Sequence, residues 1–248
     1  MTALLVTGTD TGVGKTLVTA ALAAALTARG LRVGVAKPVE TGCARVAGAL
    51  YPEDAAALAA AATTSEPLDV VCPYRFPDPL APILAAARAQ TTIDVAALVR
   101  TLGARAAAFD VLLVEGAGGA LVPLTSTTTY ADLARALDAP VLLVVGSRLG
   151  AINHALLSLE VLAARGLHIA GYVVNRIAPD GDPAAETNTA LLRSLTAARF
   201  LGELPRIMDA VETLRALRGG GPEAARARAR LAVLARAHLD LDAFADSL

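Results

Sequence analysis

Gly8-Thr9-Asp10-Thr11-Gly12-Val13-Gly14-Lys15-Thr16 is the stretch whose reading decides the fold. The apolar run Ala3-Leu4-Leu5-Val6 before it reads as a buried strand, and the segment from Leu17 reads as a helix over 17–29. A strand, a Gly-rich turn and a helix opening on Gly-Lys-Thr set successive backbone N–H groups and a helix N-terminus around a phosphate. In that arrangement Lys15 reaches the outer phosphates, and the Thr16 hydroxyl ligates the Mg²⁺ they carry. Residues 9–13 separate Gly8 from Gly14, one residue more than the common form of this loop, which would need glycine at position 9 and finds Thr9. The loop is a longer variant, and that narrows the choice of families.

Moving outward, 248 residues with 55% hydrophobic content can bury a substantial core and fit one large domain, 1–248, better than two small ones. A formal net charge of -1 argues for no nucleic-acid or acidic-membrane partner. No apolar run approaches the ~20 residues of a membrane span. The first strand begins almost at once, leaving no room for a targeting segment, so the expectation is a cytoplasmic protein. Cys43 and Cys72 are too few and too far apart in sequence for a metal cluster or a disulfide framework, and read as ordinary small residues. The 22 basic residues include lysine only at Lys15 and Lys37; elsewhere, where a surface wants positive charge, the chain uses arginine. An ammonium on a flexible stem differs in shape from a planar guanidinium, so the two positions that kept lysine point to sites needing a compact charge.

Apolar runs at 3–7, 31–36, 68–74, 110–115, 140–146, 168–175 and 199–203 read as strands. Helical composition fills 17–29, 53–62, 93–108, 129–138, 152–165 and 184–197 between them. Continuous runs such as Val111-Leu112-Leu113-Val114 are the mark of strands covered on both faces. The fold class is therefore α/β: a P-loop NTPase-type, mainly parallel sheet flanked by helices on both faces, in a single domain. Arg218-Gly219-Gly220-Gly221-Pro222 ends one helix and Glu223 to Ala237 forms another, whose Arg226, Arg228 and Arg230 share no face and read as solvated surface.

Further chemistry sits just past the strands. Lys37-Pro38-Val39-Glu40-Thr41-Gly42 places an ammonium and a hydroxyl at the rim of the site, and beside a phosphate loop Lys37 reads as aimed at an anion. Glu115-Gly116-Ala117-Gly118-Gly119 gives an acid followed by a flexible turn, and an acid ending a Val/Leu strand faces the nucleotide's Mg²⁺. Asp54 opens the helix 53–62, where a carboxylate is equally an ordinary helix-start residue and a metal ligand. Asn175-Arg176 ends strand 168–175; the amide suits the adenine edge, and no Asp follows to read guanine, so ATP is favoured over GTP.

Taken together, the loop, Lys37 to Gly42, Asp54, Val114 to Gly119, Leu149-Gly150-Ala151-Ile152-Asn153-His154, Val174-Asn175 and Gly202-Glu203-Leu204-Pro205 resemble the dethiobiotin synthetase family. The resemblance covers 2–206 in order and at family spacing, leaving 207–248 as a C-terminal helical segment. It implies a homodimer that carboxylates 7,8-diaminononanoate with CO₂, phosphorylates the carbamate with ATP and closes a cyclic urea, as part of biotin biosynthesis.

Carried over by position, the resemblance makes Thr16, Asp54 and Glu115 the Mg²⁺ ligands, and Lys37 with Lys15 the catalytic cations. It implies nucleotide contacts from Gly12, Val13, Gly14, Lys15, Thr16 and Leu17, from Asp54 and Glu115, and from Gly116, Ala117 and Gly118. Asn175, Arg176, Leu204, Pro205 and Arg206 complete the nucleotide side, while Thr11, Thr41 and Asn153 are implied substrate contacts. No general-base histidine is needed, because carbamate oxygen is already anionic; His154 reads as structural, and His168 and His238 have no partner in sequence. The chain departs from some members at Gly12, which lacks an acidic side chain, and at Pro79-Leu80-Ala81-Pro82, which is apolar where hydroxyls occur elsewhere. Two rival readings are a chromosome-partitioning switch ATPase, which carries a second lysine early in the loop where 9–13 has none, and a non-catalytic module of the same fold, whose lysines and acids would be eroded.

Overall fold

The computed structural model describes residues 2–246; residues 1, 247 and 248 of the expected 1–248 domain lie outside the described residues. The chain runs β1 (Thr2–Gly8), α1 (Lys15–Ala28), β2 (Val33–Ala36), β3 (Val39–Thr41), β4 (Ala44–Val46), β5 (Ala49–Tyr51), α2 (Glu53–Ala62) and α3 (Leu68–Val71). It continues with β6 (Tyr74–Phe76), α4 (Pro82–Arg88), α5 (Val95–Ala106), β7 (Val111–Gly119), α6 (Tyr130–Ala136), β8 (Val141–Ser147) and α7 (Ala151–Ala164). It closes with β9 (Ile169–Arg176), α8 (Pro183–Leu195), β10 (Phe200–Leu204), α9 (Ala210–Gly219), α10 (Gly221–His238) and α11 (Leu241–Ala245).

Among the described residues six strands form one sheet in the order β10-β9-β8-β1-β7-β2, with every neighbouring pair parallel. The runs without polar residues are the central strands, because both of their faces are covered. Leu4 and Val6 of β1 pack with α1, α2 and α10 on one face. Leu5 of β1 and Leu112 of β7 pack with α5 and α6 on the other, where Leu143 and Val145 of β8 meet α7 and α8. The alternation of a strand assigns neighbouring leucines to opposite cores. Glu115 is opposite Val6, Lys37 follows β2 and Asn175 lies near the end of β9. The parallel order thus collects all three at the carboxyl ends of the strands, where open α/β sheets bind ligands.

The expected strand at 68–74 is not formed. Pro67, with φ -57, starts a turn of helix instead, in which Val71 and Cys72 donate to Pro67 O and Leu68 O at 3.1 and 2.7 Å. Only Tyr74–Phe76 is extended, and it pairs with β3 in a separate two-stranded parallel sheet rather than joining the main one. Val71 O then accepts from Lys37 N at 2.9 Å, so the misread segment buttresses a residue of the site. The hairpin β4–β5 and the short helix α4 were also unforeseen.

Arginine is not confined to the surface. Arg105 is buried, holds both Glu66 carboxylate oxygens at 2.8 and 2.7 Å, and donates to Val35 O. In α10, Arg226 and Arg230 are exposed as expected, Arg230 pairing with Asp209 at the surface, whereas the half-buried Arg228 donates to Ala60 O at 3.3 Å. No helix among the described residues is long and apolar enough to cross a membrane.

Candidate active site

Two glycines shape the loop between β1 and α1. Gly12 and Gly14 have φ 77 and 87, a left-handed conformation that glycine takes without steric cost. Gly14 is the N-cap of α1 and offers no side chain, so the first N–H groups of the helix have no side-chain cap. Lys15 is buried and folds back over the loop, donating to Asp10 O at 3.0 Å. Asp10 Oδ1 accepts from Thr11 N at 2.7 Å, and Asp10 Oδ2 takes Arg148 at 3.1 Å. Asn175 closes the loop from β9, its Nδ2 donating to Val13 O at 2.9 Å while lying over the bare Cα of Gly14.

Lys37 is the centre of the charge cluster. Its Nζ is bonded to Asp54 Oδ2 and lies 2.7 Å from Glu115 Oε1, which also accepts from Thr16 Oγ1 at 2.8 Å. Thr16, Lys37, Asp54 and Glu115, from α1, the end of β2, α2 and β7, therefore touch one another. Burial disfavours the Lys37 charge, but Glu115 and Asp54 outweigh it and hold the ammonium above its usual range. Burial would likewise raise the Asp54 carboxyl, and Lys37 outweighs it and draws it down. Lys15 has no such pair of contacts: burial takes it down to about 8, against the opposing pull of Glu115.

Glu115 is fully buried, and its second oxygen, Oε2, has no hydrogen-bond partner among the described residues. A buried, unpartnered carboxylate oxygen beside a threonine hydroxyl and a second carboxylate is a hard-oxygen donor set that fits Mg²⁺, which is held by one or two carboxylates with phosphate and water completing the shell.

A cavity of about 820 Å³ opens over this cluster. Thr11, Gly12, Gly14, Lys15, Thr16 and Leu17 line it from the loop, and Lys37, Thr41 and Asp54 from the rim. Ala117, Gly118, Asn175, Arg176 and Arg206 line it from the remaining strands and their ends. Val13 and Leu204 are buried in the core and can reach a ligand only through the main chain. Gly116 is buried beneath the Tyr130 ring, and Pro205 is half-buried between Leu204 and Arg206. Asn153 is not brought to the others: it is exposed in the first turn of α7 and outside this cavity. His154, His168 and His238 are exposed and away from it as well.

Pro79, Leu80 and Pro82, noted as apolar in the sequence, make one wall of the cavity together with Val122. Two features escaped the sequence: a second apolar wall of Ile207, Met208, Val211 and Leu214, and the part played by Glu40. Glu40, between two residues singled out from the sequence, is buried and accepts from Asp54 N and Ala55 N, both at 3.0 Å. Burial pushes its carboxyl up to about 7, with Lys37 opposing. The available signal was the helix start at Pro52-Glu53-Asp54, which carries no side-chain N-cap of its own and so had to be capped from elsewhere.

An AAA domain family model matches residues 2–213. The chain is 46% identical over 217 residues to the ATP-dependent dethiobiotin synthetase BioD of Anaeromyxobacter dehalogenans (strain 2CP-C), covering 88% of this chain and 96% of that one. It is 45% identical over 203 residues to the protein of the same name from Ralstonia nicotianae (strain ATCC BAA-1114 / GMI1000), covering 82% and 88%. Among solved structures it is similar to the MinD cell division protein of Aquifex aeolicus, with a TM-score of 0.57, 18% identity and 96% of each chain covered. At that identity the last likeness speaks for the P-loop fold alone.

Proposed function

This chain belongs to the ATP-dependent dethiobiotin synthetase family, and from that premise we propose which of its residues carry the reaction. It is an ATP-dependent ligase of biotin biosynthesis that forms carbon–nitrogen bonds, closing 7,8-diaminononanoate and CO₂ into the cyclic urea dethiobiotin. One amine adds to CO₂ and loses a proton, giving a carbamate. A carbamate oxygen takes the γ-phosphoryl group as ADP leaves, and the second amine then attacks the carbamoyl carbon and expels phosphate. Each step displaces or develops negative charge, so the protein's task is to place cations and exclude water rather than to supply a nucleophile.

The observation that supports the site assignment is the buried Lys37 ammonium, held by Asp54 and Glu115 next to Thr16. In this reading Lys37 orients the carbamate and neutralises the phosphoryl group in flight, while Lys15 and the loop N–H groups hold the β and γ phosphates. Thr16, Asp54 and Glu115 would hold Mg²⁺, which supplies charge neutralisation on those phosphates. Asn175 and Arg176, with Leu204, Pro205 and Arg206, border the base; Gly116, Ala117 and Gly118 border the phosphates. Thr11 and Thr41 meet the substrate's polar end, and the wall of Pro79, Leu80, Pro82 and Val122 covers its methylene chain.

We read 1–248 as one P-loop domain working in the cytoplasm, where ATP is supplied, with no nucleic-acid or membrane partner. The exposed Leu149 and Leu157 of the α7 region and Leu191 and Leu195 of α8 support a homodimer, in which Asn153 would serve the other subunit's substrate. ADP release measured with and without diaminononanoate and bicarbonate tests the whole: it is expected to need both. ADP release indifferent to either compound overturns the assignment.

A further inference from the structure

We infer that Glu40 is a positioning residue for the metal side of the site, aiming the Asp54 carboxylate by capping the helix on which Asp54 stands. The inference rests on the reading of Asp54 as an Mg²⁺ ligand and concerns what holds that ligand in place. The N-terminus of α2 is exposed to a specific deficit: its first N–H groups have no partner within the helix, and its N-cap, Pro52, contributes no side-chain cap. Glu40 supplies two of the missing acceptors across the chain, Oε1 to Asp54 N and Oε2 to Ala55 N, each at 3.0 Å. The anion also lies at the positive end of the helix dipole.

Glu40 cannot easily move. It is 6% exposed, at the centre of β3, in register with Arg75 of β6. The backbone at Asp54 is thus fixed to an anchored side chain, and the Asp54 carboxylate is left facing Lys37 Nζ, which holds Glu115 at 2.7 Å on its other side. An amide at position 40 keeps the shape but turns one of the two acceptors into a donor, so one N–H of the pair loses its partner.

The test compares Glu40→Gln with wild type and with Asp54→Asn. The readouts are the Mg²⁺ requirement for turnover at saturating ATP, the extra thermal stabilisation that Mg²⁺ gives to the ADP complex, and hydrogen exchange of the Asp54 and Ala55 amides. Residues that support metal ligands typically change affinity 10–100-fold, so Glu40→Gln should raise the Mg²⁺ requirement about tenfold and diminish the Mg²⁺-dependent shift. The two amides should exchange faster. Adding Pro52→Ser, whose hydroxyl can accept from those same amides as an N-cap, should bring the Mg²⁺ requirement back toward wild type and serves also if Glu40→Gln folds poorly. If Asp54→Asn raises the Mg²⁺ requirement and Glu40→Gln merely lowers the melting temperature, the inference fails and the metal reading stands. If Asp54→Asn leaves the Mg²⁺ requirement unchanged, the metal reading itself fails and takes the inference with it. Failure of Pro52→Ser to restore the requirement also overturns it.

Discussion

Gly14→Ala probes the loop at the point where backbone conformation and packing make the same demand. Gly14 has φ 87, and a left-handed backbone costs an L-residue with a Cβ about 1–2 kcal/mol. The added Cβ would also overlap Asn175 Nδ2 and lie 3.3 Å from its Cγ, so the amide must leave. Leaving breaks its bond to Val13 O, and an unpaired buried polar group costs about 1–3 kcal/mol. The sum is about 2–5 kcal/mol, and at about 2–4 °C per kcal/mol for a chain of this size the middle of that range lowers the melting temperature by roughly 7–14 °C. Thermal and denaturant unfolding followed by circular dichroism measures this. Asn175→Ala separates the two contributions: in its background the overlap is gone, so Gly14→Ala should cost only the backbone part, and the two changes should be non-additive by about 1 kcal/mol or more. A Gly14→Ala protein with an unaltered melting temperature, or two substitutions whose costs simply add, would refute the packing argument.

Other expectations concern the charge cluster and the cysteines. Lys37→Arg should still bind ATP but lose about 10²-fold or more in turnover, because a planar fork cannot replace a compact ammonium between two carboxylates; near-normal turnover would remove Lys37 from the chemistry. Glu115→Gln should raise the Mg²⁺ requirement while leaving ADP binding without metal largely intact, and an unchanged Mg²⁺ titration would take Glu115 out of the metal's surroundings. Burial pushes the Cys43 thiol up to about 11 and the Cys72 thiol up as well, so at pH 8 only about one Cys43 in a thousand is the reactive thiolate. Iodoacetamide should label both residues only after unfolding, and rapid labelling of the native protein at pH 8 would contradict their burial.

The central strands were legible because they announce themselves twice, by near-continuous Val/Leu runs and by the glycine or acid near their ends: Gly8 in β1, Glu115 in β7 and Gly146 in β8. The elements that were missed lack such redundancy. Leu68-Asp69-Val70-Val71 has strand composition, yet Pro67 presets a helical turn, and composition cannot see the carbonyl that Lys37 N requires at Val71. The hairpin turns on Ala47 and Gly48, both with positive φ, and alanine in place of the usual Asn or Asp removed half of its signal. At the site, the loop, Lys37 and Glu115 stood out by residue type and place after a strand, and Asp54 by the family resemblance alone. Glu40 and Arg105 did not, because each acts on backbone atoms or an acid far away in sequence, and nothing in a local pattern marks a buried charge whose partner is supplied by the fold.

The central claim is that ATP phosphorylates a carbamate, and the fate of one oxygen tests it most directly. If the carbamate carries an oxygen from CO₂ onto phosphorus, attack by the second amine on carbon expels phosphate with that oxygen still attached. With ¹⁸O-labelled CO₂, mixed quickly enough to limit exchange with water, the inorganic phosphate should contain one labelled oxygen per turnover, and the carbon of the CO₂ should appear in the cyclic urea. Phosphate free of label alongside normal ADP release would mean that water, not carbamate, receives the phosphoryl group, and the account of this site would be wrong.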